Sequence, residues 1–266
     1  IKNIVIVQNK IDLVTPEKAE ENYKQIKDFL ADSIYKDAPI IPVSANYDAN
    51  IDALIETIEK NIPTPERDEN KEPLMYIARS FDVNKPGTEI SKLIGGVIGG
   101  SLIQGKLKVG DEIEIRPGIS KTEKAQPTPI TSKIVGLYEG KESFEEVRPG
   151  GLIGISTELD PSITKADGLV GNVLGLPGKM PPVLGEVELE YSLLERVDFD
   201  NPALHQNEII VMSVGTTTTL GVIDKVKKNK LHIKLKHPIC AYSGAVVALS
   251  RKIGQRWRLC GKGKLL

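Results

Sequence analysis

The residues from Leu74 onward narrow the possible folds more than any other part of the sequence. They form short runs rich in β-branched and apolar residues, separated by turns, and no long helical pattern interrupts them. The first six runs are LMYIARSFDV, GSLIQGKL, DEIEIRPG, TSKIVGLY, GGLIGIST and GNVLGLPG. Short strands at this spacing are typical of an antiparallel barrel or sandwich. We therefore predict a β-barrel domain over residues 74–178, with a flexible loop at KAQPTP (124–129).

A second β-rich section follows a polar break with prolines, LPGKMPP (176–182), and begins EVELEYSLL. We predict that residues 179–266 form a second antiparallel β-barrel domain. At the other end, PTPERDENKEP (63–73) is polar, rich in proline and without periodicity, which predicts a linker.

Residues 1–62 alternate strands with helices. Thr15 can cap a first helix that has Pro16 at its first position. On that helix an apolar face is predicted for Tyr23, Ile26, Phe29 and Leu30. A second helix beginning at Asn50 has the i, i+3, i+4, i+7 spacing of a buried face, carried by Ile51, Leu54, Ile55, Ile58 and Ile62. This part of the chain therefore predicts an α/β segment with a parallel sheet.

The stretch QNKIDLV (8–14) follows a short apolar strand and contains Asn9-Lys10-x-Asp12. The Asp12 carboxylate can accept both the ring N–H and the exocyclic amine of guanine, two donors that adenine lacks on that edge. Leaving such a group unpaired in a desolvated pocket costs about 1–3 kcal/mol, and more for a charge. Asn9 can bind the opposite edge of the purine and tie the loop together, and the Lys10 methylenes can lie against the ring. The alternative is a plain turn between a strand and a helix.

About thirty residues later the apolar run PIIPV (39–43) ends in Ser44-Ala45-Asn46. Guanine-nucleotide proteins carry a Ser-Ala loop at this point, with the alanine N–H directed at guanine O6. Because the two strand-then-loop signals agree, we predict a guanine-nucleotide site in the intact protein. The next residue is often lysine, so Asn46 predicts a looser cover over the ring.

The phosphate-binding half of such a site has no counterpart in the sequence. A phosphate loop needs Gly-x4-Gly-Lys-Ser/Thr, but the five Gly-Lys pairs are followed by Leu, Glu, Met, Gly and Leu. The glycine-rich GGVIGG (95–100) also lacks the lysine and the hydroxyl, and predicts close packing or a bend in a barrel strand. Because the sequence opens on a strand at Ile1, we expect residues 1–62 to be the C-terminal part of a GTP-binding domain. Alone, it should neither hold GTP tightly nor hydrolyse it.

Charge is distributed unevenly along the sequence. Residues 225–266 hold twelve Lys or Arg and no acidic residue, so residues 1–224 hold 23 basic against 36 acidic ones. Lysine alternates with apolar residues in KVKKNKLHIKLKH, which predicts a hairpin with several ammonium groups on one side. Such a surface is typical of nucleic-acid binding, and the alternative is a solvated face. We predict that Trp257 packs inside the barrel. The candidate RNA contacts are Lys225, Lys227, Lys228, Lys230, Arg251, Lys252, Arg256 and Arg258.

The remaining reactive residues show no catalytic or metal-binding spacing. We predict that His205, His232 and His237 are packing or surface residues. We assign no catalytic residue and no metal ligand. Cys240 and Cys260 lack a C-x-x-C spacing and predict free thiols in a reducing cytoplasm. Every apolar stretch is far shorter than the ~20 residues that span a bilayer, so we predict no membrane partner.

Several longer motifs are specific enough to indicate a family. They are ARSFDVNKPG, GGVIGGSLIQGKLKVGDEIEIRPG, GNVLGLPGKMPP, ELEYSLLERV, the Gly-Thr-Thr-Thr-Thr run at 215–219 and RWRLCGKG. Together they resemble the gamma subunits of archaeal and eukaryotic translation initiation factor 2, in the archaeal form. The resemblance covers essentially the whole chain. Asn9, Lys10 and Asp12 match the base-reading loop of this family, and Ser44 with Ala45 matches its second loop.

The resemblance implies a GTPase related to elongation factor Tu, in which a P-loop GTP-binding domain that binds GTP or GDP and Mg²⁺ precedes two β-barrels. It implies delivery of initiator methionyl-tRNA to the small ribosomal subunit. It also implies a heterotrimer in which the alpha subunit docks on the second domain and the beta subunit on the GTP domain. The phosphate loop, both switches and the zinc knuckle of archaeal members lie outside this sequence, so hydrolysis is expected of the intact protein.

Two other functions are compatible with the same loops and barrels. A selenocysteine-specific elongator factor shares the guanine loops but would lack the SFDVNKPG sequence. A nucleotide-independent scaffold of two barrels would bind RNA or protein partners without using the loops.

Overall fold

The computed structural model describes residues 3–120, 122, 125–196 and 199–266. The chain divides into two compact units, residues 1–66 and residues 67–266. The division after Glu66 lies inside the segment predicted as a linker.

The first unit is a two-stranded parallel sheet with two helices. In chain order its elements are β1 (Ile6–Gln8), α1 (Pro16–Leu30), β2 (Ile40–Pro42) and α2 (Ile51–Asn61). Pro16 begins α1, where a missing backbone N–H costs no helical hydrogen bond. Thr15 is the N-cap residue, but its side chain makes no capping hydrogen bond. The predicted start of α1 is confirmed, and α2 begins one residue after Asn50, which is its N-cap, and ends before Ile62. The predicted cap contact of Thr15 is wrong.

The apolar faces of both helices are only partly covered. Leu30 is buried, whereas Phe29, which was predicted to share its face, is 85% exposed. On α2, Ile55 and Ile58 are 54% and 38% exposed. Two strands that lie about 5 Å apart are narrower than the apolar stripe of a helix, so the side of that stripe away from the sheet stays open.

The second unit begins with a closed antiparallel barrel. Its strands are β3 (Leu74–Phe81), β4 (Val97–Gln104), β5 (Leu107–Lys108), β6 (Glu112–Ile119), β7 (Thr128–Glu139), β8 (Glu142–Phe144), β9 (Glu146–Val147), β10 (Gly150–Thr157) and β11 (Val173–Gly175). Six of them close the barrel in the order β10-β4-β3-β11-β6-β7, and β7 pairs back to β10. Met75, Ile98 and Leu137 are among the fully buried side chains that fill it.

A second closed barrel follows. Its strands are β12 (Val183–Leu193), β13 (Ile209–Val214), β14 (Thr217–Lys227), β15 (Lys230–Cys240), β16 (Val246–Ile253) and β17 (Arg256–Leu265). They close in the order β12-β15-β14-β13-β16-β17. Among the described residues after Leu74, the longest α-helix is the four-residue α3 (Pro161–Thr164). The predicted fold class, a small α/β segment followed by two antiparallel barrels, is confirmed.

The glycine-rich segment 95–100 serves close packing, as predicted. Gly100 lies on β4, and a Cβ atom there would come within 2.0 Å of the Tyr76 carbonyl oxygen on β3. A Cβ atom on Gly95 would lie 1.9 Å from the Thr157 carbonyl oxygen. Any larger side chain would separate the neighbouring strands, so these glycines belong to the barrel wall.

The predicted loop 124–129 lies partly outside the described residues, because Lys124 is not described. The prediction is wrong for Thr128 and Pro129, which begin β7. Thr128 pairs with Ile119 on β6, so the strand starts earlier than the polar composition indicated.

Residues 67–73 pack on the first barrel. The Arg67 guanidinium donates to the Leu102 carbonyl oxygen over 3.2 Å, and the Gly105 N–H donates to the Asp68 carbonyl oxygen over 2.9 Å. The Glu69 carboxylate lies 2.9 Å from the Lys106 ammonium. This segment, which we call the strap, is therefore attached to the barrel over most of the length predicted as a linker.

The connection between the barrels is also ordered by side chains. Glu114 on β6 is 7% exposed, and its Oε2 accepts a 3.1 Å hydrogen bond from the Gly178 N–H. Its Oε1 accepts a 2.8 Å bond from Arg116 Nε, and Arg116 Nη1 donates to the Pro181 carbonyl oxygen. The segment between β11 and β12 is thus held by residues of the first barrel.

Candidate functional site

The two predicted guanine loops meet at one edge of the small sheet. Strands β1 and β2 are parallel, with Gln8 opposite Pro42. Parallel strands present their carboxyl ends at the same edge of a sheet, where open α/β folds bind ligands. The loop after β1 forms a turn of 3-10 helix at Ile11–Leu13, and the loop after β2 forms one at Ala45–Tyr47. The fold therefore brings the six predicted site residues together.

Hydrogen bonds join the two loops directly. Asn9 Oδ1 accepts from the Lys10 N–H over 2.7 Å and from the Ala45 N–H over 3.2 Å. The Ser44 hydroxyl, which is 1% exposed as a residue, donates to Asp12 Oδ1 over 2.5 Å. Among the described residues, Asp12 Oδ2 has no hydrogen-bond partner. The bond from Ser44 fixes the carboxylate and leaves its second oxygen open.

Two details of the loops differ from the simplest expectation. The Ala45 N–H was predicted to point at guanine O6, whereas here it contacts Asn9 because the loops touch. Lys10 adopts a left-handed backbone conformation, with φ of 65°, which is uncommon for a residue other than glycine and is often found at ligand sites. Asn46 is exposed, and the neighbouring Tyr47 is 75% exposed.

Gln8 supports the first loop and was not identified from the sequence. It is 8% exposed, and its Nε2 donates to the Ala19 carbonyl oxygen over 2.7 Å and to Asn22 Oδ1 over 3.1 Å. These bonds attach the end of β1 to α1 immediately before Asn9. The sequence feature that could have indicated this role is a glutamine at the last position of an otherwise apolar strand.

The arrangement fits the base of a guanine nucleotide. Asp12 offers an oriented carboxylate for the two guanine donors, and Asn9 and Lys10 lie beside it on the same loop. Since the sequence contains no phosphate loop, we assign no residue of this chain to the phosphates or to Mg²⁺.

The predicted RNA-binding residues divide into groups in the second barrel. Lys225, Lys227, Lys228 and Lys230 are exposed on the hairpin of β14 and β15, with Lys228 in the turn at φ of 52°. Lys227 lies directly opposite Lys230. This hairpin presents the concentrated positive charge that its sequence predicted.

Arg251 is not part of that surface, which corrects the prediction for this residue. It is 5% exposed and makes a bidentate pair with Glu208, with Nη2 lying 2.7 and 2.9 Å from the two carboxylate oxygens. Its Nη1 donates to the Pro202 carbonyl oxygen and to Asn201 Oδ1. Because Nε, Nη1 and Nη2 are all hydrogen-bonded to the segment between β12 and β13 and the side chain is buried, Arg251 is not available to a phosphate.

The other three predicted cations are exposed on the hairpin of β16 and β17, namely Lys252, Arg256 and Arg258. Trp257 lies between the last two and opposite Lys252. It is 42% exposed, so the prediction of a packed barrel residue is wrong. The hairpin end carries Trp257 away from the core that the middle of β17 helps to fill.

Part of the predicted basic face is neutralised by other strands. On the seam of β12 and β15, Glu186 lies opposite Lys234 and Glu188 lies opposite His232. The Lys234 ammonium lies 3.0 Å from Asp224, and this hydrogen bond lowers the pKa of Asp224 below its usual value. The charges are segregated in the sequence but interleaved across the sheet, so the surface is less one-sided than predicted.

Comparisons with known proteins identify the family. Residues 95–175 match the family Elongation factor Tu domain 2, and residues 185–265 match Initiation factor eIF2 gamma, C terminal. Translation initiation factor 2 subunit gamma of Methanococcus maripaludis is 53% identical, over 100% of this chain and 67% of that protein. The chain belongs to the gamma-subunit family of translation initiation factor 2. The Pyrococcus furiosus gamma subunit is also 53% identical, over 98% of this chain and 66% of its own length.

Solved structures show the same fold at lower identity. A bacterial selenocysteine-specific elongation factor superposes with a TM-score of 0.77 at 19% identity, covering 100% of this chain and 40% of that one. The elongation factor SelB of Methanococcus maripaludis gives 0.76 at 19% identity, over 98% and 58% of the two chains. Relative to its gamma-subunit relatives, the chain spans about two thirds of their length. In the described residues, no helix has the length and apolar character that a membrane span requires.

Proposed function

We propose that the intact protein is a cytoplasmic GTP-binding GTPase subunit of translation initiation factor 2, which binds initiator methionyl-tRNA and delivers it to the small ribosomal subunit. One observation carries the proposal. In a chain of the gamma-subunit family, the Ser44 hydroxyl orients the Asp12 carboxylate, and Asn9 joins the two loops beside it. This geometry supports selection of guanine over adenine.

Replacement of Asp12 tests the nucleotide part of the proposal. In the full-length factor, Asp12→Asn exchanges one carboxylate oxygen for an amide donor, so the side chain no longer accepts both guanine donors. We expect guanosine diphosphate affinity to fall on the order of 100-fold and preference to move toward xanthosine diphosphate, measured by competition with a fluorescent nucleotide. Asp48→Asn, which changes an exposed carboxylate of the second loop, is the matched control. An unchanged guanine-to-xanthine ratio in Asp12→Asn contradicts the assignment.

The choice of tRNA tests the delivery role. With GTP, the full-length factor should retain initiator methionyl-tRNA more tightly than an elongator tRNA in a filter-binding titration. With GDP this preference should weaken, because hydrolysis is expected to release the tRNA. Equal affinity for the two tRNAs would favour an elongator function instead.

Partner subunits are the third part of the proposal. We propose that the alpha subunit docks on the first barrel and the beta subunit on the GTP-binding domain. Exposed apolar side chains after β3 support an alpha contact, because Ile90, Leu93 and Ile94 are 89%, 43% and 59% exposed. Such clusters on a folded surface often mark protein interfaces.

A protein that begins at Arg67 tests where the alpha subunit docks. It keeps the strap and both barrels, so it should bind the alpha subunit with the affinity of the full-length factor in a calorimetric titration. Ile90→Ser should weaken that binding, while Leu152→Ser, another exposed apolar position at 74% exposure, should not. Loss of alpha binding by the folded two-barrel protein would place the docking site elsewhere.

A further inference from the structure

Lysines from three strands converge around one glutamate on the second barrel. Glu190 on β12 lies opposite Lys230 on β15 and opposite Lys264 on β17. Leu189, which precedes Glu190, is fully buried, and Leu265, which follows Lys264, is 3% exposed. Side chains alternate across a strand, so Glu190 and its two lysine neighbours project outward together.

Two more positions extend this cluster. Lys262 lies opposite Ser192, two residues along β17 from Lys264. Lys227 lies opposite Lys230 across the β14–β15 hairpin. We call the outward lysines here the lysine patch, which consists of Lys227, Lys228, Lys230, Lys262 and Lys264. Lys262 and Lys264 were not among the cations predicted from the sequence, although their alternation with glycine in GKGK is the signal of an outward row.

The charges of the lysine patch are not balanced locally. Within the described parts of the chain, none of its five ammonium groups lies within 4.0 Å of a carboxylate. Glu190 instead accepts a hydrogen bond from the side chain of Asn229. With Glu188, which faces outward two residues before Glu190, five lysines and two glutamates give a local charge of about +3 before screening. Farther along β15, by contrast, Lys234 is paired with Asp224.

A surface groove of about 430 Å³ lies within the lysine patch. Its lining combines the two β17 lysines with hydroxyl and amide side chains, and comprises Glu190, Tyr191, Ser192, Asn229, Val246, Lys262, Gly263 and Lys264. Gly263 sits close to β12, where a Cβ atom would lie 2.8 Å from Leu189 Cδ1. Leu189 is a core residue, so this contact lies on the inner side of the barrel, while Lys262 and Lys264 on either side of Gly263 face outward.

We propose that the lysine patch binds the phosphodiester backbone of an RNA. Lysine, serine, asparagine and tyrosine side chains are the groups that proteins use on phosphate and sugar oxygens. Strand geometry places Lys262 and Lys264 roughly 7 Å apart, and Lys230 and Lys264 roughly 10 Å apart. At these separations, the lysines can contact neighbouring phosphates of one strand. An acidic protein fits less well, because Val246 is the one aliphatic residue in the groove lining.

The inference rests on the proposed function, since it specifies which surface of the factor contacts RNA. It does not depend on which RNA is bound. Its test therefore uses a fluorescein-labelled RNA duplex of arbitrary sequence and the full-length factor. Nucleotide affinity is measured in parallel, and it should be unchanged in every lysine variant.

The double substitution Lys262→Gln with Lys264→Gln removes two charges from the lysine patch. We expect the slope of log affinity against log salt to fall by about 1.5, since each lost phosphate contact changes it by about 0.7–0.9. The control pair, Lys234→Gln with Lys236→Gln, removes the same charge from β15 of the same barrel. It should change the slope by less than half as much, because Lys234 is already paired. An unchanged slope in the first pair, or equal changes in both pairs, overturns the inference.

A variant that is expected to bind RNA more tightly is a useful second test, because misfolding can weaken RNA binding but does not strengthen it. Glu190→Gln removes the central carboxylate but keeps an acceptor for Asn229, so RNA affinity should rise about two- to fivefold through reduced charge repulsion. Weaker RNA binding by this variant overturns the inference.

A poly-glutamate peptide distinguishes an RNA partner from an acidic protein partner. If the Lys262 and Lys264 pair of substitutions abolished peptide binding while RNA binding persisted, an acidic protein would be the partner instead.

Discussion

Ser44 couples the two guanine loops through a single buried hydroxyl. Its hydrogen bond to Asp12 Oδ1 crosses 32 positions of sequence and joins the loop after β2 to the loop after β1. Hydrogen bonds to charged groups contribute about 1.5–3 kcal/mol. A residue that never needs to touch the nucleotide can therefore control how well Asp12 is oriented for it.

Ser44→Ala in the full-length factor should weaken guanosine diphosphate binding about 10- to 100-fold without changing the preference for guanine over xanthine. The carboxylate keeps its two oxygens but loses the donor that fixes them. A fluorescent-nucleotide titration measures both quantities. Ser33→Ala, which removes a hydroxyl bonded to the Leu30 carbonyl oxygen at the end of α1, is the control. An affinity loss of the same size in the control would show a general effect on the first unit.

The thiols of the two cysteines should be unreactive in the folded protein. Both are free and buried, Cys240 at 3% and Cys260 at 0% exposure. Burial raises the pKa of Cys240 to about 12 and also raises the pKa of Cys260. Since the thiolate is the reactive form, a disulfide reagent at pH 8 should label neither thiol in buffer and both in guanidinium. Fast labelling of the native protein would contradict this environment.

At the scale of elements, β16 shows how strand geometry assigns neighbouring residues to different roles. Arg251 and Lys252 are adjacent cations, yet Arg251 enters the barrel and Lys252 is exposed. Side chains alternate along β16, so Arg251 faces the same buried side as Val247 and Leu249, and Lys252 faces outward. The role of each cation follows from the strand and not from its side-chain type.

Arg251→Met should destabilise the second unit by about 3–5 kcal/mol, because it leaves the Glu208 carboxylate buried without its partner. Guanidinium denaturation followed by tryptophan fluorescence measures the loss. The double variant with Glu208→Leu should recover much of it, since no charge then remains buried. At temperatures where the single variant is folded, its RNA salt slope should equal that of the parent protein. A reduced slope would return Arg251 to the RNA surface.

The strands and the guanine loops could be predicted because their signals are local. Alternating apolar runs define β3 to β11, and Asn9 to Asp12 lie within four consecutive positions. The pairing between strands could not be predicted, because it depends on register and barrel closure. This is why the sequence did not show that Glu186 and Glu188 neutralise part of β15, or that Lys230 and Lys264 share Glu190 as a neighbour. Phe29 failed for a different reason: it lies about 100° around α1 from Leu30, whereas the covered side of the helix carries Ala19, Tyr23, Ile26 and Leu30.

At the scale of the whole molecule, the strap determines where the two-barrel unit begins. The Arg67, Asp68 and Glu69 contacts lie on the first barrel, and the Lys179 ammonium pairs with Glu72. Composition alone placed the start of the barrel at Leu74. The contacts place it about seven residues earlier.

A two-barrel protein that begins at Arg67 should therefore be more stable than one that begins at Leu74. The lost backbone and side-chain bonds amount to about 1–3 kcal/mol, which corresponds to a fall in Tm of roughly 2–4 °C per kcal/mol for a unit of this size. Differential scanning calorimetry of the two proteins measures the difference. Lys71→Ala in the longer protein is the control, because Lys71 makes an exposed contact with Asp68. Equal Tm values would show that the strap does not contribute to stability.

The Glu114 and Arg116 contacts with the connecting segment are made to backbone groups, the Gly178 N–H and the Pro181 carbonyl oxygen. Such groups are present whatever side chains the segment carries. The path of the chain into β12 therefore depends on two residues of the first barrel, and a second barrel grafted onto a first barrel that lacks them would begin on an unanchored segment.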